Sequence, residues 1–88
     1  MITISADCRE ILSRRGSKNR IMIQMTNRPK RWQMAIDGLK KGGYLVWLDF
    51  IVLPGLCETG TFPLNCDIYL LTPKGVRLCD ENGIGPRK

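Results

Sequence analysis

Apolar residues along this chain recur first at helical and later at strand spacing. In ADCREILSRR, Ala6 to Arg15, the residues Cys8, Ile11 and Leu12 fall at i, i+3 and i+4, which is one face of a helix. Ser5 suits its N-cap. Asp7 and Glu10 suit its early turns, and Arg14 and Arg15 its end, as the helix dipole favours. GSKN then breaks the pattern. The next segment, RIMIQMT from Arg20 to Thr26, fits two periods. Ile21, Ile23 and Met25 alternate as in a strand, while Ile21, Met22 and Met25 fit a short helix at i, i+1, i+4. Isoleucine favours the strand. The helical neighbours on both sides favour the helix, and a short helix is the expectation.

NRPKRWQMAIDGLKKGGYL, Asn27 to Leu45, predicts a longer helix over about Pro29 to Lys41. Asn27 is a cap for its start, Pro29 is tolerated in a first turn, and Gly42-Gly43 accept the left-handed conformation that ends helices. Trp32, Ala35, Ile36 and Leu39 fall at i, i+3, i+4, i+7, one stripe for the core. That stripe makes Trp32 a packing residue rather than a base-stacking one. The opposite face carries Lys30, Gln33, Met34, Asp37 and Lys41.

YLVWLDFIVL, Tyr44 to Leu53, is rich in β-branched and aromatic residues and reads as a strand with Asp49 on its exposed side. Trp47 on it belongs either to the core or to a partner surface. PGLCETGTFPLN, with Pro54, Gly55, Gly60 and Pro63, reads as a long loop. CDIYLLT is a second strand, expected antiparallel to the first. Thr72 and Pro73 then open a last helix, with Val76, Leu78 and Cys79 as its apolar side. GIGPRK, residues 83–88, reads as a flexible tail.

With 88 residues the chain is expected to form one domain, residues 1–88. The order of elements makes it α+β. No apolar run approaches the ~18 residues of a membrane span, and no basic segment followed by an apolar core opens the chain. The expectation is therefore a cytoplasmic protein without a membrane partner.

The net charge of +6 is unevenly spread. Met1 to Lys41 holds ten basic residues against three acidic; from Gly42 onward there are four against five. The excess positive charge lies wholly in the N-terminal half, which raises the expectation of a polyanionic partner. Cys8, Cys57, Cys66 and Cys79 lack the close pairs of a zinc site, and the chain has no histidine. A Cys57–Cys66 disulfide fits the spacing, but free, mostly buried thiols are the expected state, with no metal and no cofactor.

Two segments resemble winged helix-turn-helix domains. In AIDGLKKGGYL, Leu39, Gly43, Tyr44 and Leu45 match a recognition helix running into the first strand of a wing. In YLLTPKGVRLCDENG, Leu71, Thr72, Lys74 and Gly75 match the strand that leads into the C-terminal helix of such regulators. Together they cover about half of the chain, and small phage and prophage-type proteins are closest in size. The resemblance implies a three-helix unit, a two-stranded antiparallel β-hairpin wing, a C-terminal helix, and duplex DNA as partner of a small transcriptional regulator. The sequence departs from the pattern in the segment Arg20 to Pro29, and in a wing that carries no Lys or Arg from Tyr44 to Pro73.

A recognition helix presents its N-terminal residues to bases while flanking charges hold phosphate. On this reading Arg28, Lys30 and Arg31 sit at the helix start, where the dipole also favours phosphate. Gln33 faces adenine, Lys41 shares the face, and Lys18 and Arg20 grip the backbone. Asp37 on that face repels phosphate. Catalysis is not expected, because the carboxylates are scattered, no phosphate loop occurs, and a cysteine nucleophile would lack a base. The alternative function is a protein-interaction module without DNA binding. In it, a second copy or another protein meets the strand Tyr44 to Leu53 and the long loop.

Overall fold

The structure, a computed structural model, describes residues 4–25 and 28–86, and of residues 56, 57 and 62 the backbone only. Its elements are α1 (Ala6–Leu12), β1 (Arg20–Gln24), α2 (Lys30–Lys41), β2 (Leu45–Cys57), β3 (Gly60–Leu71) and α3 (Pro73–Glu81), with a 3-10 turn at Ser17–Asn19 before β1. The fold is α+β. The three strands form one antiparallel sheet in the order β1-β3-β2.

Side chains alternate across this sheet, and the core uses one face of it. Ile21 and Ile23 of β1, Tyr69 and Leu71 of β3 and Leu45 of β2 pack against Ile11 and Leu12 of α1, Ile36 and Leu39 of α2, and Leu78 and Cys79 of α3. All three helices thus cover the same face. α1 is shorter than its sequence pattern suggests. Ser5 Oγ accepts from the Cys8 N–H as expected, but the helix ends at Leu12. Arg15 lies beyond it, buried, with its guanidinium donating to Asn19, Asp80 and the Ile84 carbonyl.

Two expectations are corrected. Arg20 to Thr26 is not a short helix: residues 20–24 are strand β1, antiparallel to β3 from Arg20–Leu70 to Gln24–Cys66. The free edge of β3 supplies hydrogen bonds that a five-residue helix cannot match, so the alternating period wins. Only two helices therefore precede the hairpin, and a strand stands between them. Residues 54–65 are likewise not a loop. β2 and β3 pair continuously to Cys57–Gly60 around a two-residue turn, Glu58-Thr59. Counting outward from that turn, Pro54 and Pro63 face each other at a site where neither residue's nitrogen points to the partner strand. The ladder loses no bond to them. This long hairpin, the arm, projects beyond the helices, and the molecule measures 48 × 27 × 20 Å.

The arm also separates two cysteines. Cys57 pairs with Gly60, whereas Cys66 pairs with Ile51, six residues further down β2. The two backbones are about 20 Å apart at the strand rise, too far for the disulfide that their spacing allows. Cys8, Cys66 and Cys79 are free thiols. At the start of the tail, Ile84 is buried and its N–H donates to the Cys79 carbonyl at 2.8 Å. Among the described residues, no group of acidic, cysteine or histidine side chains could hold a metal, and no helix is long and apolar enough to cross a membrane.

One corner ties the C-terminal half together. The Tyr44 carbonyl accepts the Thr72 N–H at 3.1 Å, Thr72 Oγ1 donates to the Gly43 carbonyl, and Lys74 Nζ donates to the Gly42 carbonyl. Gly75 makes the closeness possible, since a Cβ there would lie 2.1 Å from the Tyr44 oxygen.

Candidate nucleic-acid interface

α2 carries the candidate face. Its inner stripe is as expected: Ile36 and Leu39 are buried, and Trp32 and Ala35 pack against the core. Arg14 lies over the Trp32 ring, 4.8 Å from its centre, so this ring is covered rather than open to a base. The helix ends at Gly42, where Gly43 takes φ 79° and the Tyr44 N–H returns to the Leu39 carbonyl. Its start differs from the expected one. Pro29 holds the N-cap position and gives no side-chain hydrogen bond, and Asn27 lies outside the described residues. α1 and α3, by contrast, are capped by the Ser5 and Thr72 hydroxyls.

The seven sequence-predicted contact residues divide into two groups. Arg28 is held within the fold, and Gln33, though exposed, is bonded at both ends of its amide. The Arg28 side chain is 9% exposed and pairs at 3.0 Å with Asp67, itself 13% exposed, on β3. Its guanidinium also donates to Gln33 Oε1 at 2.8 Å and to the Ile23 and Gln24 carbonyls. The Gln33 amide donates in turn to Asp37 at 3.0 Å. At the far end of this chain, Trp47 Nε1 donates to the second Asp67 oxygen at 3.1 Å. Arg28 is thus a buttress between α2 and the sheet, and Gln33 has both ends of its amide occupied. The expected base and phosphate contacts of these two residues would compete with these bonds.

Lys18, Arg20, Lys30 and Lys41 are exposed and enter no ion pair among the described residues. Arg31 is exposed and shares Asp7 of α1 at 3.0 Å. An exposed surface pair of this kind contributes little and is easily exchanged for phosphate. Lys40 joins this group on the last turn. Lys18 sits in the 3-10 turn at φ 58°, a left-handed position that the Arg15–Asn19 hydrogen bond braces. Along α2, four basic residues face a single acidic one, Asp37. Two of the basic residues, Lys30 and Arg31, crowd the helix N-terminus, where the dipole disfavours cations until an anion joins them. Between Met34 and Lys41 the face is a shallow open groove, and Gly38 leaves the helix backbone bare there.

Asp67 is the functional neighbour that sequence reasoning missed. It stands 39 residues from Arg28 and carries no local signal. The arm presents no cation over residues 42–73, as read from the sequence. Lys74 is not available either, being bonded to the Gly42 carbonyl and lying 4.7 Å from the Tyr44 ring centre. Comparison with protein-family models, with curated proteins and with solved structures finds no match for this chain.

Proposed function

We propose that this domain binds duplex DNA through α2, in the manner of a small winged-helix regulator whose arm does not grip phosphate. One observation carries the reading: Lys30, Arg31, Lys40 and Lys41 stay exposed along one helix, with Lys18 exposed on the preceding turn, while Arg20, opposite Leu70, lies on the sheet face away from the helices. The helix is about 18 Å long at 1.5 Å per residue, a length that fits a major groove. Contacts are mainly to phosphate, because Gln33 and Arg28 are engaged elsewhere. Affinity then exceeds sequence discrimination.

The test is a titration of random-sequence duplex DNA at low and moderate salt. Neutralising about five phosphates gives a slope of log affinity against log salt near −4 to −5. Absence of binding at low salt by the folded protein rejects the reading. The second reading, a protein-interaction module, is favoured by one observation of its own: Val46, Trp47, Leu48, Phe50 and Val52 are all exposed on the arm. Retention of a protein partner without any DNA binding selects it.

A further inference from the structure

Lys30, Met34, Asp37 and Lys41 recur along α2 at helical spacing and point away from the core. Asp37 is the one carboxylate on this helix, and it repels phosphate. It is nevertheless held in place. Gln33 Nε2 donates to Asp37 Oδ1 at 3.0 Å, and Arg28 donates to Gln33 Oε1 at 2.8 Å. Arg28 is fixed in turn by its pair with Asp67. A relay of three hydrogen bonds thus runs from the sheet to a single exposed carboxylate. Among the described residues no ion pair joins Asp37, and its second oxygen has no partner.

Asp37 lines the shallow groove together with Met34, Gly38, Lys40 and Lys41. Gly38 weakens the helix relative to alanine, and packing does not call for it. Among the described residues, a Cβ there would meet nothing within 4 Å. The missing side chain lets an outside group approach the helix beside the carboxylate.

We infer that Asp37 reads the cytosine of a C·G pair in the major groove by accepting from its N4 amine, with Gln33 as the positioning residue. The inference rests on the DNA reading of α2. The chemistry selects the base. An ionised carboxylate can only accept. In the major groove guanine and thymine present acceptors, and adenine sets an acceptor beside its amine, whereas cytosine presents a donor alone. The bond is charge-assisted, hence stronger than a neutral one. Its acceptor is already oriented by the relay before DNA arrives. Lys30, Arg31, Lys40 and Lys41 of the same helix hold the flanking phosphates and offset the repulsion from one carboxylate.

The experiment selects duplexes from a random-sequence pool at low salt, with the wild type and with Asp37→Asn. The enriched duplex is then titrated beside a copy whose selected C·G pair is replaced by T·A, which sets an acceptor where the amine stood. The wild type is expected to enrich cytosine at one position of its site and to bind the T·A copy about tenfold more weakly. Asp37→Asn, at an exposed position, is expected to keep the circular dichroism of the wild type. It should bind the random pool at least as tightly, because a negative charge is gone, and lose the cytosine preference. Gln33→Ala is expected to lower the ratio of C·G to T·A affinity and leave the salt slope unchanged. Failure of the folded wild type to bind any duplex rejects the DNA reading and the inference with it. Binding without enrichment of cytosine overturns the inference alone and leaves the DNA reading standing. A cytosine preference retained by Asp37→Asn does the same. A ratio unchanged by Gln33→Ala overturns the positioning role.

Discussion

Removing the Arg28 guanidinium separates its two candidate roles, DNA reader and buttress. In the structure it pairs with Asp67, with both side chains nearly out of solvent, and donates to Gln33 and to two carbonyls of β1. Among the described residues, Arg28→Ala leaves the Asp67 carboxylate with only the Trp47 Nε1 donor. Breaking a buried pair from one side costs about 3–5 kcal/mol. A chain of 88 residues has a total stability of about 4–13 kcal/mol at typical values per residue. Arg28→Ala is therefore expected to remove about a quarter of the stability or more, and Arg28→Lys less. Urea denaturation followed by tryptophan fluorescence measures this, since Trp47 reports on Asp67 directly. Pairing the variant with Asp67→Ala should recover about 2 kcal/mol relative to the sum of the single losses. In the remaining folded protein, the salt slope of DNA binding should not change. An Arg28→Ala protein as stable as the wild type within about 0.5 kcal/mol, with a flatter salt slope, would refute the buttress and restore Arg28 as a phosphate contact.

Lys30→Ala should behave in the opposite way: stability unchanged, DNA binding weakened for all sequences, and the salt slope flattened by about one unit in the two-salt titration. Gly75→Ala forces a methyl group against the Tyr44 carbonyl and should cost about 1–3 kcal/mol, read from the urea midpoint. Burial pushes the Cys79 thiol above its ordinary 9.0 and, reinforced by nearby Asp67 against the opposing pull of Arg28, the Tyr69 phenol above its ordinary 10.0. The fold thus favours both neutral forms. Their contribution is complete below pH 9 and is lost as the pH rises through the raised values, so the urea midpoint should fall above about pH 9. Cys79→Ala should remove the earlier part of that fall; a midpoint independent of pH up to about 10.5 would contradict it.

α2 and α3 were legible because each carries its own signals, an apolar stripe for the first and Thr72-Pro73 for the second. The hairpin was legible only near its base. Its outer half contains prolines and glycines, which suggest a loop until the pairing parity that accommodates Pro54 and Pro63 is known. β1 was ambiguous because its period is decided by β3, a partner far along the chain. The basic side chains of the site could be recognised from the sequence, but their availability could not. Nothing local distinguishes Arg28, tied to Asp67, from Lys30, which faces solvent. The common face of Trp47, Phe50 and Val52 escaped for a similar reason, because it depends on the register shift at Leu48.

The corner at Tyr44, Thr72 and Gly75 also sets an order of assembly. The arm has a two-residue turn, so its pairs form one after another from the tip inward, each closing little new loop. The corner is the final clasp of that zipper, and it seats the first turn of α3 as it closes. β1 must instead find β3 across the whole intervening chain, with Arg20 meeting Leu70, which is a slow step of high contact order. The C-terminal half can therefore fold as a unit on which β1 and α1 later dock. In native-state hydrogen exchange the amides of β1 should open at lower free energy than those at the base of the arm. β1, an edge strand of the sheet, is thus expected to dock late and to open early.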